Sequence, residues 1–344
     1  MLGAGASALR RRGSLVPHRR AALVSLQRPV LIGVHWQKGR KLKICGHCRF
    51  SFYGFTDTGR AIQTVESAFL KLWHPVRMAV RFHLLETICL PAIRAQTDPD
   101  FTLVITTSKM LPEPFQDRLD RITSGIPQVR VLRTERTDLS KALKPVMAEA
   151  SDDFTHPSVH FRIDDDDAVS TDYVARLRLA AQRMDPGGMI TFPSGVLGFL
   201  DGEVARHCTF RKPSIAIGLA LVNPPQFPRQ PFQIQHMRHS DMVPCFSDPT
   251  FPAYHYTLHS ANNTSGYEAL FHTDGAHRRR IRKSIEQNAE LAAGLETTTR
   301  AEAAIAQAFP HTTGPALREA IRRAADPLRL VEEMGFQTEP FLPD

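Results

Sequence analysis

Short apolar runs of β-type composition alternate with segments that carry apolar residues at helical spacing, and this order constrains the fold more than any other feature. A helix is predicted over 76–96, interrupted at Pro91, and a strand over Phe101–Thr106 (FTLVIT). The order then repeats with helices at 115–124 and 139–150 and strands at 129–132 and 159–163. Alternating strands and helices form mostly parallel sheets flanked by helices. The sequence therefore predicts an α/β fold.

Four consecutive aspartates, Asp164 to Asp167, come directly after the predicted strand at 159–163. Ser170, Thr171 and Asp172 supply helix-capping chemistry for a helix that extends to about Met184, so the acidic run is predicted to be a strand-to-helix loop. Ligands of parallel sheets bind at the carboxyl ends of the strands. Adjacent carboxylates repel each other, and a hard cation such as Mg²⁺ or Mn²⁺ turns this repulsion into attraction.

Other metal motifs fail on spacing. The sixth and twelfth positions of a calcium loop that starts at Asp164 are Val169 and Ala175, where glycine and glutamate are needed. The pair His255 and His259 lacks the glutamate of the H-E-x-x-H zinc motif. What remains is a D-x-D pattern at a strand end, through Asp164 and Asp166 or through Asp165 and Asp167.

The net charge of +8 is unevenly distributed along the chain. Ten of the lysines and arginines and no acidic residue lie within residues 1–43, so the rest of the chain carries about −2. We predict a basic, disordered leader over 1–41 and no nucleic-acid partner. No apolar stretch is long enough for a membrane span, and we expect a cytoplasmic location.

The cysteines do not form a disulfide framework. They are five in number and scattered, and Cys45-Gly46-His47-Cys48 lies in a strand-like run rather than before a helix, so we expect reduced thiols and no redox chemistry. Prolines concentrate over 224–252, which is typical of a long binding loop. We predict a main domain over 42–272 and a helical C-terminal tail over 273–344.

Two segments resemble GT-A glycosyltransferases. FHLLETICLPAIRAQTDPDFTLVITTS is similar to the opening helix and strand of that class, and RIDDDDAVSTDYVARL to its D-x-D loop. With CRFS at 48–51, Arg81-Phe82 and HSANNTS at 259–265, the chain resembles the bacterial rhamnosyltransferase family over about residues 43–270. The chain departs from many GT-A enzymes at Thr106-Thr107-Ser108, where they carry an Asp pair for the nucleotide.

This resemblance implies a metal-dependent transferase with a GT-A-like, mostly parallel sheet. A nucleotide-sugar donor, with rhamnose suggested by the family name, and a saccharide or cell-envelope acceptor would be the partners. Asp164, Asp166 and Asp167 would hold Mn²⁺ or Mg²⁺, with Asp165 pointing outward or supporting the metal ligands. The expected donor-side residues are Arg49, Arg81, Arg162, Asp165 and His259, with His236 and His239 joining His259 once a loop closes.

The catalytic base is less constrained by the sequence. Asp201, Glu203, Asp241 and Asp248 follow the aspartate run, and we expect Asp241 because it comes after two histidines in the segment where acceptor loops lie. Two alternatives remain: a metal-dependent hydrolase or nucleotidyl enzyme that acts on a diphosphate substrate, and a non-catalytic carbohydrate-binding protein.

Overall fold

A central seven-stranded sheet organises the chain. The computed structural model describes residues 42–54, 64–201, 203–234, 242–259 and 295–337. The central sheet consists of β1 (Ile44–Arg49), β2 (Thr102–Ser108), β3 (Val129–Thr134), β4 (Ser158–Arg162), β6 (Met189–Thr191), β9 (Ala220–Asn223) and β10 (Cys245–Ser247), in the order β10-β6-β9-β4-β1-β2-β3. The pairs β1–β2, β1–β4, β2–β3 and β6–β10 are parallel, whereas β9 pairs antiparallel with β4 and β6. The predicted α/β fold with a mostly parallel sheet is confirmed.

A second sheet of four strands lies beside the acidic run. It consists of β5 (Ala168–Val169), β7 (Ser194–Asp201), β8 (Val204–Arg211) and β11 (Tyr254–Leu258), in the order β5-β11-β7-β8. Strands β7 and β8 form an antiparallel hairpin, and β11 runs parallel to β7. The sequence analysis did not predict the hairpin, although its apolar residues and the D-G-E turn were a usable signal.

Helices cover the central sheet. They are α1 (Val65–Lys71), α2 (Pro75–Leu84), α3 (Leu90–Arg94), α4 (Glu113–Thr123), α5 (Leu139–Ala150) and α6 (Tyr173–Gln182). A π-helical segment, Leu85–Cys89, joins α2 to α3 and places Pro91 in the first turn of α3, where its missing N–H costs little. The helical backbone therefore continues past Pro91 as far as Arg94, and its α-helical geometry is interrupted by the π-helical segment directly before α3.

Three helices follow near the C-terminus: α7 (Leu295–Ala308), α8 (Gly314–Ala324) and α9 (Pro327–Met334). Their helical character was predicted. Leu317, Ala320 and Leu330 pack in one buried cluster with Val76 and Val80 of α2. These helices therefore share a core with the helix that carries Arg81, while the predicted boundary at residues 272 and 273 lies outside the described residues. Within the described part of the chain, no helix is both long enough and apolar enough to cross a membrane.

The strand β1 is at the centre of the core. A side chain at Gly46 would bring its Cβ within 2.4 Å of the Phe161 ring, so only glycine allows the close contact with β4. Cys45 and Cys48 lie on opposite faces of this strand, in different buried clusters, and burial raises the pKa of Cys45 to about 12. The strand prediction is confirmed, and this Cys-x-x-Cys geometry is unlike that of a redox pair.

One strand is shorter than predicted. The apolar run over 215–222 predicts a strand from its first residue, but β9 begins only at Ala220. Gly218 adopts a φ of 68°, which turns the chain just before the strand, and its N–H donates to the Arg162 carbonyl at 2.8 Å. The turn thus brings this segment to the end of β4.

Candidate functional site

The four aspartates occupy the loop after β4, and we call Asp164 to Asp167 the aspartate loop. Strand β4 pairs with β1 in parallel, so the loop follows the carboxyl end of a central strand, as predicted. Asp165, Asp166 and Asp167 are at most 3% exposed, whereas the Asp164 side chain is 36% exposed. One carboxylate therefore faces solvent while three are buried.

Arg81 of α2 compensates the buried charge. Its Nε donates to Asp165 Oδ2 at 2.8 Å, another of its nitrogens contacts Asp165 Oδ1, and its Nη1 donates to Asp166 Oδ2 at 2.9 Å. This fork fixes both carboxylates in one geometry. Asp165 therefore does not point outward but binds Arg81, and its expected role in supporting metal ligands stays a prediction.

Asp166 also contacts His259, which follows β11. His259 Nε2 lies 2.8 Å from Asp166 Oδ2, and because an ionised carboxylate only accepts hydrogen bonds, Nε2 carries the proton. Burial alone would raise the pKa of Asp166, but Arg81 and His259 hold that pKa below its usual range. Burial lowers the pKa of His259, against the opposing effect of its hydrogen bond to Asp166.

Asp167 is held differently. The backbone N–H of Thr257 in β11 donates to its Oδ1 at 3.0 Å. Burial, together with the charges of Asp166 and Asp164, raises the pKa of Asp167 well above its ordinary value. A cation beside this carboxyl group would favour its ionised form.

Two more arginines lie at the same sheet edge. Arg49 ends β1 and Arg162 ends β4, and their guanidinium carbons lie 4.3 and 4.5 Å from the centre of the Phe232 ring. Arg162 Nη2 is 3.5 Å from both carboxylate oxygens of Asp164. The structure thus brings Arg49, Arg162 and Asp164 to one edge of the sheet, with Arg81 bound to the neighbouring aspartates.

The candidate bases are not brought to the aspartate loop by any described contact. Asp201 lies at the end of β7 and pairs with Arg206 at 2.9 Å, while Glu203 is exposed in the same hairpin turn. Asp248 accepts a hydrogen bond from the Thr250 N–H at 2.9 Å. Asp241, His236 and His239 lie outside the described residues, so the assignment of Asp241 stays a prediction.

A second set of titratable groups lies on the face of β1 and β4 that also carries Arg49 and Arg162. His47 Nε2 is 2.9 Å from His160 Nδ1, and His160 Nε2 is 2.8 Å from Ser158 Oγ. We call Cys45, His47, Ser158 and His160 the histidine stripe. Burial lowers the pKa of His47 to about 3 and that of His160 well below its usual value, so both rings are neutral.

The histidine stripe also offers metal ligands. In the described ranges, the single group of three or more His, Cys, Asp or Glu ligand atoms within 4.8 Å of one another is Cys45, His47 and His160. Three of the four imidazole nitrogens are already in hydrogen bonds, which a metal would have to replace. The sequence analysis missed this group; its signal was the two-residue spacing of C-x-H in β1 and S-x-H in β4.

Another histidine pair connects β11 to the C-terminal helices. His255 Nε2 is 3.3 Å from His207 Nε2, and His207 Nδ1 is 3.2 Å from Glu302 in α7. Burial lowers the pKa of His207 to about 3 and that of His255 well below its usual value. His255 thus contacts His207, whereas His259 contacts Asp166.

Comparison with known proteins gives a family match. The family model described as "Putative rhamnosyl transferase" matches residues 43–269. No curated protein matches the sequence. Among solved structures, S. aureus TarS 1-349 in complex with UDP-GlcNAc is 10% identical, with a TM-score of 0.35 over 86% of this chain and 91% of that one. The same protein in complex with UDP is 12% identical, with a TM-score of 0.33 over 89% and 94% of the two chains.

Proposed function

The chain belongs to the putative rhamnosyl transferase family, and from this premise we propose that it transfers a sugar from a nucleotide-sugar donor to a saccharide or cell-envelope acceptor. The donor's diphosphate would bind at the aspartate loop. Rhamnose as the transferred sugar follows from the family description alone, and a cytoplasmic location is part of the same proposal.

The observation that carries this proposal is that protein groups hold three carboxylates of the aspartate loop while the fourth is accessible to solvent. Asp165 and Asp166 are fixed by the fork of Arg81, and Asp167 by the N–H of Thr257, whereas Asp164 is accessible to solvent beside Arg162. Carboxylates that serve stability alone are seldom buried in such numbers, because each buried charge has to be compensated. A ligand with both a cation and phosphate groups matches this edge of the sheet.

The carboxylate ligands of the aspartate loop fit a hard divalent cation that the substrate also helps to bind. The described aspartates do not form a cage of three converging carboxylates. Mg²⁺ commonly takes one or two protein carboxylates together with substrate phosphates, so a full protein cage is not required. We propose that Asp164 and Asp166, with Asp167, hold Mn²⁺ or Mg²⁺; the bound ion would supply positive charge to the departing diphosphate.

The residues of this chain have distinct tasks in this scheme. Arg81 orients Asp165 and Asp166 and helps to lower the pKa of Asp166, and His259 fixes the Asp166 carboxylate from the other side. Arg49 and Arg162 would contact the diphosphate, where negative charge develops as the sugar leaves. Asp241 is proposed to accept the proton from the acceptor hydroxyl.

A thermal-shift panel of nucleoside diphosphates and nucleotide sugars, each with and without Mn²⁺, tests the proposal. A ligand at 100 times its Kd adds about 2.7 kcal/mol to the free energy of unfolding. We expect a Mn²⁺-dependent shift with at least one nucleotide in the wild type, and its loss in Asp164→Asn and Asp166→Asn. Asp117→Asn, an exposed carboxylate in α4, is the matched control and should retain the shift.

Two results would contradict the proposal. A shift that Asp164→Asn and Asp166→Asn both retain would remove the metal assignment. Release of sugar from the donor at the same rate with and without any acceptor would instead indicate a metal-dependent hydrolase.

A further inference from the structure

The ring of Phe232 joins the two arginines at the ends of β1 and β4. Phe232 is fully buried, and the guanidinium carbons of Arg49 and Arg162 lie 4.3 and 4.5 Å from the centre of its ring. The two positive charges are therefore within about 9 Å of each other, a separation at which like charges repel. Contact with an aromatic face offsets part of that repulsion.

The described contacts leave donor capacity on Arg162. Its Nη2 reaches Asp164 only at 3.5 Å, and its Nε is buried and has no hydrogen-bond partner among the described residues. The residue as a whole is 8% exposed. A buried guanidinium nitrogen without a partner is costly unless a ligand supplies one. The ligand that meets this need beside Asp164 is an anion.

The segment that carries Phe232 is fixed to the fold at both sides of the ring. Phe232 lies in a 3₁₀ turn, Pro231–Gln233, in which the Gln230 side chain accepts from the Phe232 N–H at 2.7 Å. Gln230 and Gln233 each donate to Ser140 Oγ in the first turn of α5, at 3.3 and 2.6 Å. The ring is therefore placed by α5 and does not depend on the arginines for its position.

We propose that Phe232 is a positioning residue that sets Arg49 and Arg162 as a pair for the two phosphoryl groups of the donor. This inference rests on the proposed function and adds the residue that places the two arginines for a diphosphate rather than a monophosphate. One arginine fork matches one phosphoryl group, and two forks from neighbouring strands span two. Asp164, beside Arg162, places the cation next to the same groups.

The test uses inorganic pyrophosphate and inorganic phosphate as probes, with Mn²⁺, in calorimetric titrations of the full chain. Neither probe carries a base or a sugar, so the result does not depend on the identity of the donor. We expect the wild type to bind pyrophosphate more tightly than phosphate. Phe232→Leu should weaken pyrophosphate binding about tenfold, in proportion to two lost cation–π contacts, and should reduce the preference over phosphate. Phe232→Tyr, which keeps the ring, should restore both.

Control variants separate positioning from packing. Phe52→Leu removes the same atoms from the same buried cluster and should leave pyrophosphate affinity unchanged. Ser140→Ala loosens the turn from outside the core, so it keeps the proposal testable if Phe232→Leu does not fold, and we expect a two- to fivefold loss of pyrophosphate affinity. Phe232→Leu should reduce pyrophosphate affinity less in the Arg162→Met background than in the wild type, because the two residues act through one contact.

The outcomes distinguish this inference from the function it rests on. Suppose that the wild type binds pyrophosphate with Mn²⁺, that Asp164→Asn does not bind it, and that Phe232→Leu binds it as tightly as the wild type. The role of Phe232 is then overturned and the proposed function stands. Equal losses in Phe52→Leu and Phe232→Leu would also overturn that role. If the wild type binds neither pyrophosphate nor any nucleoside diphosphate, the proposed function fails and takes this inference with it.

Discussion

The aspartate loop and the histidine stripe both lie at the strands β1 and β4, but Asp166 in the loop keeps its charge whereas the two imidazoles of the stripe do not. In the loop, Arg81 and His259 compensate Asp166 and lower its pKa, whereas burial raises the pKa of Asp167. In the stripe, burial keeps both imidazoles neutral, and they bond to each other and to Ser158. Burial alone therefore does not decide whether a group keeps its charge; a compensating partner such as Arg81 does.

The largest expected effect on stability comes from removing the guanidinium of Arg81, which binds the aspartate loop. Arg81→Met leaves Asp165 and Asp166 buried without their guanidinium partner, and we expect the free energy of unfolding to fall by about 3–5 kcal/mol. Urea unfolding at neutral pH measures this loss. The double variant Arg81→Met/Asp165→Asn should recover part of it, because one uncompensated charge is removed. A loss below about 1 kcal/mol in Arg81→Met would show that the loop is far better solvated than its burial indicates.

Acid should lower the free energy of unfolding through the neutral histidines before it protonates Asp166. The unfolded imidazole binds a proton near pH 6.5, while the folded His47 and His207 do so only near pH 3, so the unfolded state takes up more protons as the pH falls. Each of these histidines should lower the free energy of unfolding by about 1.4 kcal/mol for each pH unit below 6.5, and Asp167 offsets part of this fall because its raised pKa lets the folded state bind that proton first. The stabilisation from Asp166 persists in this range, since it is lost only when the pH falls through the lowered pKa of Asp166.

Unfolding curves at pH 7.5, 6.5 and 5.5 check this window. The variants His47→Gln and His207→Gln should each show a shallower dependence on pH than the wild type. A dependence that begins only below pH 4 would assign acid sensitivity to the carboxylates instead.

A smaller effect is expected within the histidine stripe. Ser158→Ala removes the hydroxyl beside His160 Nε2 and leaves a buried imidazole nitrogen with one partner fewer, at a cost of about 1 kcal/mol. Thermal unfolding measures this cost. An effect as large as that of Arg81→Met would mean that the stripe, like the loop, carries charge.

The smallest effect is expected at the surface. Arg130 and Glu149 form an ion pair at 2.6 Å with side chains 47% and 69% exposed, and Glu149→Gln should change the free energy of unfolding by less than about 0.5 kcal/mol. This pair calibrates the effect of burial, since it has the same chemistry as Arg81 with Asp165. If Glu149→Gln lowered the free energy of unfolding as much as Arg81→Met does, burial would not be what makes the Arg81 ion pairs important for stability.

The sequence predicted the central elements because their signals are local. Alternation of apolar runs gave β2, α5 and β4, and the acidic run was correctly placed after a strand end. Local patterns could not predict the partners of the aspartate loop, because Arg81 is 84 positions away from Asp165 and His259 is 93 positions away from Asp166. Arg81 and His259 were named by resemblance as donor-side residues, yet in the structure both contact the aspartates themselves. Phe232 was missed because only tertiary packing brings it to Arg49 and Arg162, and the histidine stripe was missed because its C-x-H and S-x-H spacings do not show that β1 and β4 are neighbours.

The shared core of α2 and the C-terminal helices has a consequence for the newly made chain. His83 Nε2 of α2 bonds to the Ala320 carbonyl of α8 at 2.9 Å, across 237 positions of sequence. At about 5–20 residues per second, a ribosome makes that later partner roughly 12–50 s after α2. During this interval the apolar face of α2 that packs against α8 and α9 in the folded protein is exposed. We therefore expect nascent chains that stop before α8 to be retained by chaperones or degraded, even though every residue of the aspartate loop has already been made.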